Sequence, residues 1–79
     1  VRIFDEEADK AISMVTLFLT KSEASELRDK LEALLARNGQ GHEHVPSEDF
    51  QKEITLAIYG DDGLSQFDQR SQRLIREDR

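Results

Sequence analysis

Cysteine is absent from this 79-residue sequence. That excludes a disulfide staple and any thiolate metal site. It suits a reducing compartment, and the expected location is cytoplasmic. Positive charge is scarce, with 11 Lys and Arg against 17 Asp and Glu and a net charge of −6. A broad electrostatic grip on nucleic acid needs clustered Lys and Arg, so no nucleic-acid partner is expected. Long apolar runs are missing too. The longest, residues 14–19, is interrupted by Thr16 and is far too short to span a bilayer, so no membrane partner is expected. No charged-then-apolar signal segment opens the sequence, and its first residue is Val rather than Met, as in a trimmed or processed chain.

Catalytic signatures are equally scarce. No glycine-rich phosphate loop is present, because Gly39-Gln40-Gly41 and Gly60-Asp61-Asp62-Gly63 lack the strand–loop–helix context that such loops need. No Ser/His/Asp arrangement carries a recognisable local motif, and no carboxylate pair stands out among so many acidic residues. The chain is expected to be non-enzymatic, without catalytic residues and without a cofactor. Its length implies one domain over residues 1–79. A chain this short has a thin core, and thin cores without staples gain stability by oligomerising.

What the sequence does contain is a well-marked strand, cap and helix. Residues 12–19 alternate, with Val15, Leu17 and Leu19 on one face and Met14, Thr16 and Phe18 on the other, which predicts a strand. Thr20-Lys21-Ser22-Glu23 matches a capping box, and Ser22 is a competing cap. Ala24, Leu27, Leu31, Leu34 and Leu35 then recur at helical spacing as one apolar stripe. Glu26 and Lys30 make a favourable i,i+4 pair. Asn38-Gly39 is a stop signal, with Arg37 suited to the negative end of the helix dipole.

The flanking segments are shorter. Residues 1–4 predict a strand, followed by an acidic connector with Asp5, Glu6, Glu7 and Asp9. That connector lacks the alternating carboxylates and central glycine of a calcium loop. Residues 42–45 can form a short strand and residues 46–49 a turn, or a first helical turn capped by Ser47. Residues 50–59 read two ways. At period two, Ile54, Leu56 and Ile58 share a strand face; at period 3.6, Phe50, Ile54, Ala57 and Ile58 make a helical stripe. The β-branched and aromatic content favours the strand. Residues 64–77 predict a second helix with Leu64, Phe67, Ser71, Leu74 and Ile75 inside.

Three constellations are candidate sites. His42 and His44 lie two apart, so on a strand both imidazoles point the same way, and Glu48, Asp49 or Glu53 can add a third ligand. The order His42-x-His44-x-x-x-Glu48 matches the first half of a cupin metal motif. The chain lacks the further strands and the second, histidine-bearing motif that a cupin needs. The competing reading is a pair of surface or structural histidines after a glycine linker, and no bound metal is expected. Arg70, Arg73, Arg76 and Arg79 fan across the last helix, either solvated at its C-terminal end or docked on an acidic surface, such as the acidic connector of a second copy. Phe4, Phe18 and Tyr59 are expected to share the sheet face opposite the main helix. That face is either covered by the last helix or forms a dimer interface.

The run V-T-L-F-L-T-K-S-E-A-S-E-L-R-D-K-L, followed by H-E-H-V and E-I-T-L-A-I-Y, resembles a group of short uncharacterised bacterial proteins over residues 15–59. His42-x-His44 before a strand is loosely similar to small toxin-immunity proteins. Residues 14–35 also resemble the start of a ribbon-helix-helix regulator or antitoxin. In that family the strand pairs across a dimer and reads DNA bases, and a helix at residues 50–58 would be the second helix. Here the outward residues would be Met14, Thr16, Phe18 and Thr20, a poor set for base reading.

The expectation is an α+β fold: a small antiparallel-dominated sheet of three or four strands, packed against one long helix and one C-terminal helix. The expected role is a homodimeric protein-interaction domain, with a further protein as a second candidate partner.

Overall fold

A computed structural model describes every residue from Val1 to Arg79. The architecture is α+β, in the order β1 (Phe4–Asp5), β2 (Lys10–Ala11), α1 (Lys21–Ala36), β3 (Glu43–Pro46), β4 (Glu53–Leu56) and α2 (Gln69–Glu77), with a 3-10 turn at Leu64–Gln66 before the last helix. The chain divides into two compact units, one of Val1–Leu17 with Asp61–Arg79 and one of Phe18–Gly60. The four strands do not form the single expected sheet. They make two separate antiparallel pairs, β1 with β2 and β3 with β4.

The Phe18–Gly60 unit is a helix laid on a hairpin. The capping box that starts α1 is formed in full: Thr20 Oγ1 accepts from the Glu23 amide at 3.1 Å, and Glu23 Oε1 accepts from the Thr20 amide at 2.9 Å. The helix ends where Asn38-Gly39 predicts. Arg37 is its C-cap, Asn38 takes the left-handed conformation at φ 56°, the Asn38 amide donates to Leu35 O, and the Gly39 amide donates to Leu34 O at 2.8 Å. This is a Schellman closure, which satisfies carbonyls the helix would otherwise leave open. Gly39 is also left-handed at φ 76°, and a Cβ there would meet Ile58 at 3.2 Å.

In the hairpin, Val45 pairs with Ile54 and His44 with Thr55. Val45 is buried and Ile54 and Leu56 are half-buried, while His44, Glu53 and Thr55 are exposed. The strand reading of residues 50–59 therefore holds for Glu53–Leu56, and the helical reading does not. Phe50 lies in the connecting turn at φ 58° instead, with the Ser47 hydroxyl accepting from the Gln51 and Lys52 amides. The second helix that a ribbon-helix-helix protein requires is thus absent from that position.

The inner face of α1 departs from the expected stripe. Leu34 is fully buried and Leu27 half-buried, but Ala24, Leu31 and Leu35 face solvent. The rest of the inner side is polar, because Glu23 and Lys30 have partners on the hairpin. Glu23 Oε2 accepts from the Glu48 amide at 2.8 Å, and Glu43 accepts from Arg37 at 2.8 Å and pairs with Lys30 at 3.3 Å.

The other unit joins a small hairpin to α2. Asp5 Oδ1 accepts from the amides of Glu7 and Ala8 and turns the acidic connector, which lets β1 pair with β2. The expected helix over residues 64–77 is broken. Phe67 is extended, and Asp68 starts a new helix by accepting from the Ser71 amide at 2.7 Å. Leu74 is its one buried residue, while Leu64, Phe67, Ser71 and Ile75 are half-buried as the stripe predicts. Arg2 donates to Ile75 O at 3.0 Å, placing a cation at the negative end of α2.

The largest departure is at residues 12–19. The strand expected there is not formed: after Ala11 the chain bends at Ser13 and runs without regular structure to the cap of α1. The alternation that predicts a strand is a property of side chains, whereas a strand exists only when a neighbour accepts its amides.

Candidate functional site

Residues 13–17 end the first segment of one unit, and residues 18–19 begin the other. No main-chain group among them has a hydrogen-bond partner within the chain. The last upstream bond is Ile12 N to Ile3 O at 3.0 Å, and the next downstream belongs to the Thr20 cap. Met14, Val15, Leu17 and Phe18 are exposed along this stretch, Met14 at 88% and Phe18 at 92%. The run from Ala11 to Thr20 carries no charge, the longest such run in the sequence. An exposed apolar segment whose amides and carbonyls are all unpaired is a template for strand pairing.

The residues expected at an interface have different surroundings. Phe18 is fully displayed on the segment, and Tyr59 is partly exposed after β4. Phe4 belongs to the other unit, half-buried on β1 with the Arg70 guanidinium 4.6 Å above its ring. Residue-by-residue reading overlooked Val15 and Leu17 as surface residues, because the strand pattern assigned their face to the core, while Met14 fell on the outward face. It also overlooked Leu31 and Leu35, which lie one turn apart on the outer side of α1. The absence of charge from Ala11 to Thr20 was the available signal.

The histidine pair has a local role. The rings of His42 and His44 meet edge to face, with centroids 4.9 Å apart. His44 Nδ1 contacts Thr55 Oγ1 at 3.0 Å and Glu53 Oε2 at 3.4 Å, across the hairpin. The Glu48 main-chain amide donates to Glu23. No three His, Asp or Glu residues converge as a metal site.

The arginines of α2 separate into distinct environments. Arg70 donates to the Asp9 carboxylate at 3.1 Å, so the acidic connector is met within the chain. Arg76 bonds Gln72 and Arg79 pairs with Glu77. An open cleft of 410 Å³ is lined by Lys10, Arg70, Arg73 and Arg79 together with Asp9 and Glu77.

The titrating groups that stand out are structural. Hydrogen bonds from the Thr20 and Glu48 amides hold the Glu23 carboxyl below its ordinary value. Arg37, then Lys30, does the same for Glu43. Ser47 and the Gln51 amide lower Asp49, and the Ser71 amide lowers Asp68. Each shift reports a cap, a turn or a clamp.

No family model matches the chain, and comparison with curated proteins and with solved structures finds no match. No helix is long and apolar enough to cross a membrane. The site is therefore defined by its own geometry, as an unpaired apolar segment on a small α+β protein.

Proposed function

We propose that this chain is a non-enzymatic, cytoplasmic protein-interaction domain that acts as a homodimer. The observation that carries this reading is the uncharged, exposed stretch at residues 13–19, whose main-chain groups have no partner within the chain. Such a stretch is costly to leave open in a protein with so small a core. Only three hydrophobic side chains are buried, Leu34, Val45 and Leu74, at 0%, 2% and 7% exposure. Association supplies the apolar cover that a short chain cannot supply for itself. Size-exclusion chromatography with light scattering is expected to give twice the 9.1 kDa chain mass. A strict monomer at high concentration overturns the reading.

A further inference from the structure

We propose that residues 13–19 pair with the same residues of a second copy, as an antiparallel ladder with its two-fold axis at Thr16. The inference rests on the homodimer reading and names its interface. Four observations lead to it.

The first is the free backbone, because an unpaired segment flanked by bonded residues can gain a full ladder without breaking an existing bond. The second is charge. Two chains of net charge −6 repel, and like charges are brought close by most surface contacts between copies; the run from Ala11 to Thr20 has none to oppose.

The third is direction. Lys10 and Lys21 bracket the run. Parallel in-register pairing sets each lysine against its own copy, which is destabilising. Antiparallel pairing about Thr16 sets Lys10 against Ser22 and Lys21 against Ala11, so that no lysine directly opposes a lysine. The fourth is register. The residues without hydrogen bonds are centred on Thr16, so this axis alone maps the whole free stretch onto itself. Met14 then faces Phe18 of the second copy, Val15 faces Leu17, and Thr16 faces Thr16. Met14, Val15, Leu17 and Phe18 thus meet apolar residues, Leu19 faces Ser13, and the threonines form a cross-strand pair of a favourable type.

The absence of cysteine gives a clean test. Residues directly opposite in an antiparallel pair have Cα atoms about 4.5–5.5 Å apart, within disulfide range. Thr16→Cys is therefore expected to form a covalent dimer with oxidised glutathione. At ten-micromolar chain the paired thiols should react about a hundredfold faster than those of a Ser65→Cys control, given an effective concentration near millimolar. Ser65 is exposed and lies outside the segment. Met14→Cys and Phe18→Cys form a second test should Thr16→Cys fold poorly. Each alone is expected to stay uncrosslinked, because four residues of offset separate like positions by about 14 Å. The two variants mixed are expected to crosslink to each other.

A dimer by light scattering in which Thr16→Cys reacts no faster than Ser65→Cys overturns this pairing and leaves the homodimer standing. Faster crosslinking through Leu17→Cys than through Thr16→Cys overturns the register. A strict monomer overturns both the pairing and the homodimer.

Discussion

The two units use the same parts, an antiparallel hairpin and a helix, but hold them together differently. In the Phe18–Gly60 unit the contact is made by apolar residues from both elements, Leu34 of α1 and Val45 of β3, with charged clamps at each end of the helix. Glu23 ties the helix start to the hairpin turn, and Arg37 and Lys30 tie its end to Glu43. In the other unit Leu74 is the sole buried apolar residue, and arginines do much of the holding. Arg2 reaches the end of α2, and Arg70 reaches Asp9 while covering Phe4. The lesson concerns size. When a hairpin has strands of two residues, as β1 and β2 do, it offers too little apolar surface for a helix to bury. Long arginine side chains then cover what apolar surface there is and bond the main chain directly.

This contrast can be tested from its strongest point downward. Leu34→Ala is expected to destabilise the Phe18–Gly60 unit by about 3 kcal/mol, because it removes a fully buried side chain and leaves a cavity. Leu74→Ala should cost less, about 2 kcal/mol, since Leu74 is not fully enclosed and its helix can close over the gap. Amide exchange in β4 and in α2 reads the two separately, and an equal loss at both sites would break the comparison. Next is Gly39→Ala, expected to cost about 1–2 kcal/mol in thermal melts, from the left-handed φ and the crowding against Ile58. Thr20→Ala removes the cap of α1 and is expected to cost about 1 kcal/mol by chemical denaturation, with Thr20→Ser restoring most of it.

The smallest effect is set by pH, and it sharpens the contrast between units. A carboxyl held below its ordinary value in the folded chain stabilises the fold above its unfolded pKa. That contribution is lost as pH falls through the folded value. The ordinary values are 4.5 for Glu23 and Glu43 and 3.8 for Asp49 and Asp68. Three of these groups lie in the Phe18–Gly60 unit and Asp68 alone in the other. Acidification below pH 4.5 is therefore expected to loosen the Phe18–Gly60 unit first, read by amide exchange between pH 5 and 3. Glu23→Gln should flatten that response. Loss of α2 at higher pH than α1 would contradict this account.

Much of the local fold was legible in the sequence. The Thr20–Glu23 box and the Asn38–Gly39 stop fix both ends of α1, because a cap bonds residues three to five apart and needs no distant partner. The inner stripe of α2 was legible for the same reason. Its start at Asp68 was missed because Phe67 continues the helical spacing while its backbone is extended. The alternation at residues 12–19 gives one aliphatic face and one mixed face, but the strand inferred from it has no neighbour to pair with. Nor could periodicity tell Leu34 from Leu31 and Leu35. All three fit a helix stripe, and the hairpin packs on the side of Leu34.

By itself, then, the sequence determined both ends of α1, the inner stripe of α2 and the uncharged character of Ala11–Thr20, all of which depend on neighbours a few residues away. Tertiary structure alone decided that the strands pair as two separate hairpins. It also decided that Glu23 reaches the turn after β3, that Lys30 and Arg37 reach Glu43 on β3, and that residues 13–19 are left with their amides open. The reason is that a hydrogen-bond ladder or a buried face belongs to two segments at once, and no pattern within one segment states where its partner will be.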